Sequence, residues 1–262
     1  MGIVNVTPDS FSDGDRYAEP SAAISRCLEL LDEGADLLDI GGESTRPGSL
    51  PVEAAEQWRR LEPVLAGLAR QRPEAIVSID TRSAEVARRS LEAGASIIND
   101  VSALSDADMG RVVADAGAGL VLMHLRGSPA TMQDDTVYDD VVLEVAAFLA
   151  ARLVLAIEAG VAEESVALDP GIGFGKSAAG SLALIARLAE IAAIGRPVLI
   201  GASRKRFLAA LTDDAPVHDR LEASLAAAAI ASALGARVVR VHDVRASVRA
   251  IRVADAVRDS GV

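Results

Sequence analysis

The chain has 262 residues, half of them hydrophobic, close to the ~250 residues typical of one α/β barrel and enough for a large core. Acidic residues outnumber basic ones 38 to 26, for a net charge of −12, and the aromatics are four Phe, two Tyr and one Trp. That balance excludes a basic phosphate-tracking surface with stacking platforms, so no nucleic-acid partner is expected. The lone Cys27 excludes an intrachain disulfide framework and Cys-based zinc sites, as in a reducing compartment. No run reaches the ~18 uncharged apolar residues of a membrane span, and the Ala-rich stretch from Ser224 to Ala236 reads as a buried helix. Asn5, Thr7, Pro8 and Asp9 interrupt any signal-peptide apolar region, and a cytoplasmic location is expected.

In chain order, eight short apolar runs read as strands: Gly2 to Val6, Leu37 to Ile40, Ile76 to Ile79, Ser96 to Ile98, Leu120 to Met123, Ser165 to Leu168, Pro197 to Ile200 and Arg237 to Val241. Each is followed by a longer segment of helical period, at about 20–34, 53–71, 83–94, 106–117, 137–160, 178–195, 218–235 and 244–258. Gly34, Gly94 and Gly235 sit where glycine closes a helix. Strands apolar on both faces and alternating with helices imply a parallel sheet, and eight units without a linker imply an α/β fold of the (β/α)8 TIM barrel type, one domain over 1–262. An open doubly wound sheet repeats the same units and stays open as an alternative.

Polar residues mark the strand ends in succession: Asn5 after the first, Asp39 and Glu43 around the second, then Asp80, Asn99 with Asp100, His124, Asp169 and Ser203-Arg204-Lys205, with Arg240 and His242 flanking the end of the eighth. One such residue is ordinary turn chemistry, but barrel strand ends converge on one mouth, and eight in succession imply a site. Asp80, Asn99 and Asp169 offer acceptors for a flat heterocycle rich in N–H donors. Lys205, Arg240 and His242 offer cations for an anionic substrate, gathered at one end of an otherwise acidic protein.

The segment from Asp169 to Ser177 imitates a phosphate-binding loop. A P-loop needs Gly where Pro170 stands, and a dinucleotide fingerprint needs Gly or Ala where Lys176 stands. Gly171, Gly173 and Gly175 are instead expected to let the backbone turn tightly beside a ligand, with Phe174 as the loop's apolar face.

Seven ordered motifs span the chain: Asn5 to Gly14 (NVTPDSFSDG), Gly41 to Gly48 (GGESTRPG), Val77 to Thr81 (VSIDT), Ile98 to Asp100 (IND), Leu168 to Phe174 (LDPGIGF), Gly201 to Lys205 (GASRK) and Arg240 to Asp243 (RVHD). As a set they resemble the dihydropteroate synthase family, as does Met123 to Gly127 with Thr131 to Gln133. The resemblance implies a homodimeric TIM barrel that joins p-aminobenzoate to 6-hydroxymethyl-7,8-dihydropterin diphosphate, with Mg²⁺, releasing pyrophosphate. It implies pterin contacts at Asp80, Asn99, Met123, Asp169 and Lys205, and diphosphate contacts at Asn5, Arg240 and His242, with Asn5 near the metal. It places p-aminobenzoate against Thr45, Arg46, Pro47, Phe174, Lys205 and Arg206. Many members carry a small hydroxyl residue at position 206, so Arg206 is a departure. Asp80, Lys205, Asn5 and His242 are the expected catalytic set, stabilising electrostatically the charge that develops as the diphosphate dissociates before the arylamine attacks.

The loops Thr7 to Arg16 and Ser44 to Pro51 have the composition of lids. Two alternatives stay open. A pterin-dependent methyltransferase domain should lack the Thr45-Arg46-Pro47 loop and the diphosphate residues, and a catalytically silent pterin-binding paralogue should bind without turnover.

Overall fold

The computed structural model describes residues 1–6, 18–45 and 48–260. Strands β1 (Gly2–Asn5), β2 (Leu37–Gly41), β3 (Ile76–Asp80), β4 (Ile97–Asp100), β5 (Gly119–Met123) and β6 (Val166–Asp169) pair in parallel in chain order. Two short strands, β7 (Leu199–Ile200) and β8 (Val238–Val239), pair with each other. Backbone bonds join them to the rest: Leu168 N donates to Pro197 O at 2.9 Å and Ile3 N to Val241 O at 3.0 Å, with Val241 N returning to Met1 O at 3.0 Å. The ring is therefore closed, an eight-stranded α/β barrel, and the open-sheet alternative is discarded.

Between the strands run α1 (Ala18–Asp32), α2 (Ala54–Gln71), α3 (Ala84–Glu92), α4 (Met109–Ala116) and α5 (Val141–Glu158). They are followed by α6 (Ala178–Ala186), α7 (Leu188–Ala192), α8 (Arg206–Ala209), α9 (Leu221–Ala233) and α10 (Val244–Ser260). Side-chain caps set several starts: Ser83 Oγ accepts from Val86 N, Asp140 accepts from Val142 N and Leu143 N, and Ser177 Oγ accepts from Gly180 N. The Asp140 cap explains why the helix expected from 137 begins at Val141. The helix expected over 178–195 is broken at Arg187, whose φ of −106° and ψ of 30° end α6 and start α7. The short α8 after β7 is an element that hydrophobic period does not separate.

Period-two alternation along the strands positions the site. One set, including Leu38, Ile40, Ile79, Ile98, Leu122, Leu168 and Ile200, packs in the main core with the helices. The opposite set is apolar low in the barrel, where Met1, Val121 and Leu199 meet Leu37, Ile97, Ala167 and Val238. Higher up, the same inward set turns polar: Asp39, Ser78, Asp80, Asn99 and Asp169 are all buried.

Candidate active site

The floor is organised around Asp39, fully buried in β2. Its carboxylate accepts from Ser78 Oγ at 2.7 Å, Asn99 Nδ2 at 3.0 Å and Arg240 Nε at 2.6 Å. Arg240 Nη2 continues to Asp80 Oδ2 at 2.8 Å. Two acceptors remain over: Asp80 Oδ1 and Asn99 Oδ1 are buried with no hydrogen-bond partner among the described residues. Leaving such an atom unpaired costs about 1–3 kcal/mol, and native proteins keep few of them, so a pair on adjacent strand ends marks a place for ligand donors. Burial pushes Asp80 up to about 7, against the pull of Arg240. Burial likewise raises Asp169, although its Oδ1 accepts from Gly171 N at 2.7 Å.

Above the floor stand the basic residues. Lys205, the N-cap of α8, holds Nζ 3.6 Å from the centre of the Phe174 ring, and burial lowers its ammonium to about 7. His242 departs from the cation expected of it, because burial lowers it to about 3 and the ring is neutral. Ser203 Oγ lies 3.0 Å from His242 Nδ1 and accepts from His242 N at 3.3 Å. Where that hydroxyl donates to the neutral ring at Nδ1, the ring proton sits on Nε2 and Nε2–H is the donor. Arg240 keeps Nη1 uncommitted among the described residues. Arg204 does not join this group, because it forks onto Asp243 at 3.0 and 2.5 Å and ties the β7 loop to the β8 loop.

The glycine loop is built for close approach. Gly171, Gly173 and Gly175 have φ of 69°, 78° and 61°, and a Cβ on Gly171 would lie 2.0 Å from His124 O. Lys176 turns inward: Nζ donates to Phe174 O at 2.7 Å and His124 O at 3.2 Å, and lies 2.9 Å from His124 Nδ1. An ammonium committed to internal carbonyls cannot grip a nucleotide phosphate, so the P-loop reading fails on geometry. Burial lowers Lys176 to about 7 and His124 to about 3.

These groups border a cavity of about 1030 Å³ whose lining includes Asn5, Thr45, Phe174, Lys205, Arg206, Arg240 and His242. Asp80, Asn99 and Asp169 are not in its lining; Arg240 joins Asp80 to it. Met123 packs with Val101, Met132 and Phe174, and it is Met132 that reaches the cavity wall. Arg46, Pro47 and the segment Thr7 to Arg16 lie outside the described residues. Of the strand-end series, Glu43 serves structure, accepting from Val52 N at 2.9 Å and Arg82 Nη2 at 2.9 Å, and Asp100 caps its own turn through Ser102 and Leu104.

A scan against known families matches residues 1–242 to the family described as pterin binding enzyme. The Escherichia coli (strain K12) dihydropteroate synthase is 43% identical over 256 residues, covering 98% of this chain and 90% of its own. The chain belongs to the dihydropteroate synthase family. It is a transferase. Among solved structures, the Xanthomonas albilineans dihydropteroate synthase with 4-aminobenzoic acid superposes with a TM-score of 0.93 at 46% identity, covering 100% of this chain and 93% of that one. The Xanthomonas albilineans dihydropteroate synthase in complex with 7,8-dihydropteroate gives a TM-score of 0.89 at 42% identity, with 100% and 94% coverage.

Within this dihydropteroate synthase scaffold, sequence reasoning passes over Asp39 as the hub of the floor and Lys176 as the pin of the glycine loop. A signal for Lys176 is present. The chain has only two lysines, Lys176 and Lys205, and both border the cavity.

Proposed function

We propose that this enzyme condenses 6-hydroxymethyl-7,8-dihydropterin diphosphate with p-aminobenzoate to 7,8-dihydropteroate and pyrophosphate. The observation that carries the reading is the pair of orphaned buried acceptors, Asp80 Oδ1 and Asn99 Oδ1, with the donor Lys205 close enough to act on Asp80. A pterin has this complement: amino and ring N–H donors on one edge, a carbonyl and ring nitrogen on the other. Relatives solved with 4-aminobenzoic acid and with 7,8-dihydropteroate support the same substrate pair.

In this reading Asn99 and Asp169 accept from the pterin N–H groups, Lys205 donates to its oxo group, and Met123 stands behind the Phe174 wall. Asn5, Arg240 Nη1 and His242 Nε2–H hold the diphosphate. Thr45, Phe174, Lys205 and Arg206 border the arylamine, with Arg46 and Pro47 expected to complete its pocket. The methylene C–O bond breaks with its electron pair leaving on pyrophosphate. The ionised Asp80 stabilises the resulting pterin cation, and the arylamine lone pair then forms the C–N bond, with loss of the nitrogen proton to solvent. This is electrostatic preorganisation, and it uses no protein nucleophile. Cys27, buried with its thiol pushed up to about 12, is not among the cavity residues.

No three His, Cys, Asp or Glu side chains gather as a metal site among the described residues, and Asn5 offers one neutral oxygen donor at the cavity. A hard oxygen donor of this kind fits Mg²⁺ brought in with the diphosphate, and Asn5 is the residue that would hold it. The chemistry the ion would supply there is neutralisation of charge on the leaving pyrophosphate. The homodimer belongs to the same proposal, supported by exposed Ile230, Leu234, Val253 and Val257 on or beside α9 and α10, and sedimentation at micromolar concentration tests it.

Positional isotope exchange tests the dissociative step. With ¹⁸O in the bridging position and no arylamine present, the enzyme should scramble the label into non-bridging positions of recovered substrate. Turnover with p-aminobenzoate but no scrambling without it would support direct displacement instead.

A further inference from the structure

Asp39 makes none of the ligand contacts just described, yet three of its four lone-pair directions are filled by side chains of β3, β4 and the residue that follows β8. Ser78 Oγ binds one oxygen, and Asn99 Nδ2 and Arg240 Nε share the other. A carboxylate only accepts, so it fixes the sense of each partner. Asn99 must give its amide N–H to Asp39 and therefore turns Oδ1 away as the orphaned acceptor. Arg240 must give Nε to Asp39, which aims Nη2 at Asp80 and leaves Nη1 for a ligand. With Nη2 on its Oδ2, Asp80 in turn has only Oδ1 to offer. One fully buried carboxylate thus sets the acceptor pattern of the floor and the direction of the rim guanidinium.

We propose that Asp39 is the positioning residue of this site: it selects the Asn99 amide orientation and anchors Arg240, so that the floor presents acceptors to a donor-rich heterocycle. The inference rests on the proposed pterin reading, and it adds a residue that touches neither substrate. Without Asp39 the Asn99 amide can rotate and offer N–H where the ligand also offers N–H, and Arg240 can swing onto Asp80 alone.

Two substitutions separate positioning from simple support. Asp39→Asn keeps the geometry, because its amide oxygen can accept from Asn99 and Arg240 while Ser78 reverses its hydroxyl to accept from the new N–H. Asp39→Ala keeps none of it. Calorimetry with 6-hydroxymethylpterin, which needs no turnover, should show D39A binding about 10- to 100-fold more weakly than wild type, the range expected for a buried unpaired polar group, and D39N within about 3-fold. The second readout is the acid limb of kcat/KM. The charges facing Asp80 are Arg240 of the β8 end, Asp39 of β2, Glu43 of the β2 loop and Lys205 of the β7 loop. Of these, D39N removes one negative charge, so the limb should move to lower pH by about one unit.

If D39A does not fold, D39N alone decides through the limb. A folded D39N with the wild-type limb, or a folded D39A with wild-type pterin affinity, would overturn the role of Asp39. Wild-type protein that binds no pterin would instead overturn the functional reading beneath it.

Discussion

Asp80→Asn is the sharpest perturbation of the floor because the structure dictates what the new amide must do. Arg240 Nη2 lies 2.8 Å from Asp80 Oδ2, and a guanidinium only donates. The introduced amide must therefore turn its oxygen to Arg240 and its N–H to the position where the orphaned Oδ1 now stands. The substitution keeps a bond from Arg240 on the neutral amide oxygen but removes the carboxylate charge, and it turns a donor toward the developing cation. A combined loss of ~3 kcal/mol in transition-state stabilisation corresponds to about 150-fold in kcat/KM. Arg240 keeps Asp39 at 2.6 Å, so the variant should remain folded, with thermal unfolding close to wild type. Pyrophosphate release under kcat/KM conditions, beside a thermal melt, measures both. A folded D80N within about threefold of wild-type kcat/KM would refute the electrostatic role assigned to Asp80.

Activity should depend on pH with a maximum near 7. Asp80, raised to about 7, must lose its proton to stabilise a cation, giving the acid limb, and Lys205, lowered to about 7, must keep its proton to donate, giving the alkaline limb. In Lys205→Arg the residual activity should lose its alkaline limb, since guanidinium stays protonated; an unchanged limb would remove Lys205 from the chemistry. Lys176→Met strips the donor from Phe174 O, His124 O and His124 Nδ1, and a net cost of ~2 kcal/mol should lower Tm by about 4–8 °C. The folded Lys176 titrates near 7 and the unfolded one near 10.5, so the unfolded state holds more protons between those values. Wild-type stability relative to K176M should therefore grow from about pH 7 to about pH 10, and a gap that shrinks would contradict the burial of Lys176. Crystals grown in sulfate should place an anion on Arg240 Nη1 and His242 Nε2 beside Asn5; an anion bound instead along Gly171 to Lys176 would revive the phosphate-loop reading.

Much of this architecture is readable in the sequence because a parallel barrel strand is a short apolar run closed by a polar residue, and the helices carry their own caps. The closing pair, β7 and β8, is just two residues long each, so membership in the ring depends on long-range backbone bonds that no local pattern encodes. Asp80, Asn99, Asp169 and Lys205 stand out because each comes after a short apolar run in the sequence. Asp39 stands inside one, and its significance comes from which face it occupies and which strands adjoin β2, both tertiary facts. Lys176 sits in a motif that imitates a phosphate loop, and only the approach of Gly171 to His124 shows its ammonium turned inward. The charge of His242 is likewise beyond composition, since its neutrality comes from burial.

The most direct test of the account is a single reaction mixture of the purified protein, 6-hydroxymethyl-7,8-dihydropterin diphosphate, p-aminobenzoate and Mg²⁺, analysed for both products. The expected result is 7,8-dihydropteroate and pyrophosphate in equal amounts, with loss of product when p-aminobenzoate is left out and a decrease of about 10²-fold in rate with D80N. Tight pterin binding without either product would identify a silent binder and contradict the catalytic assignment.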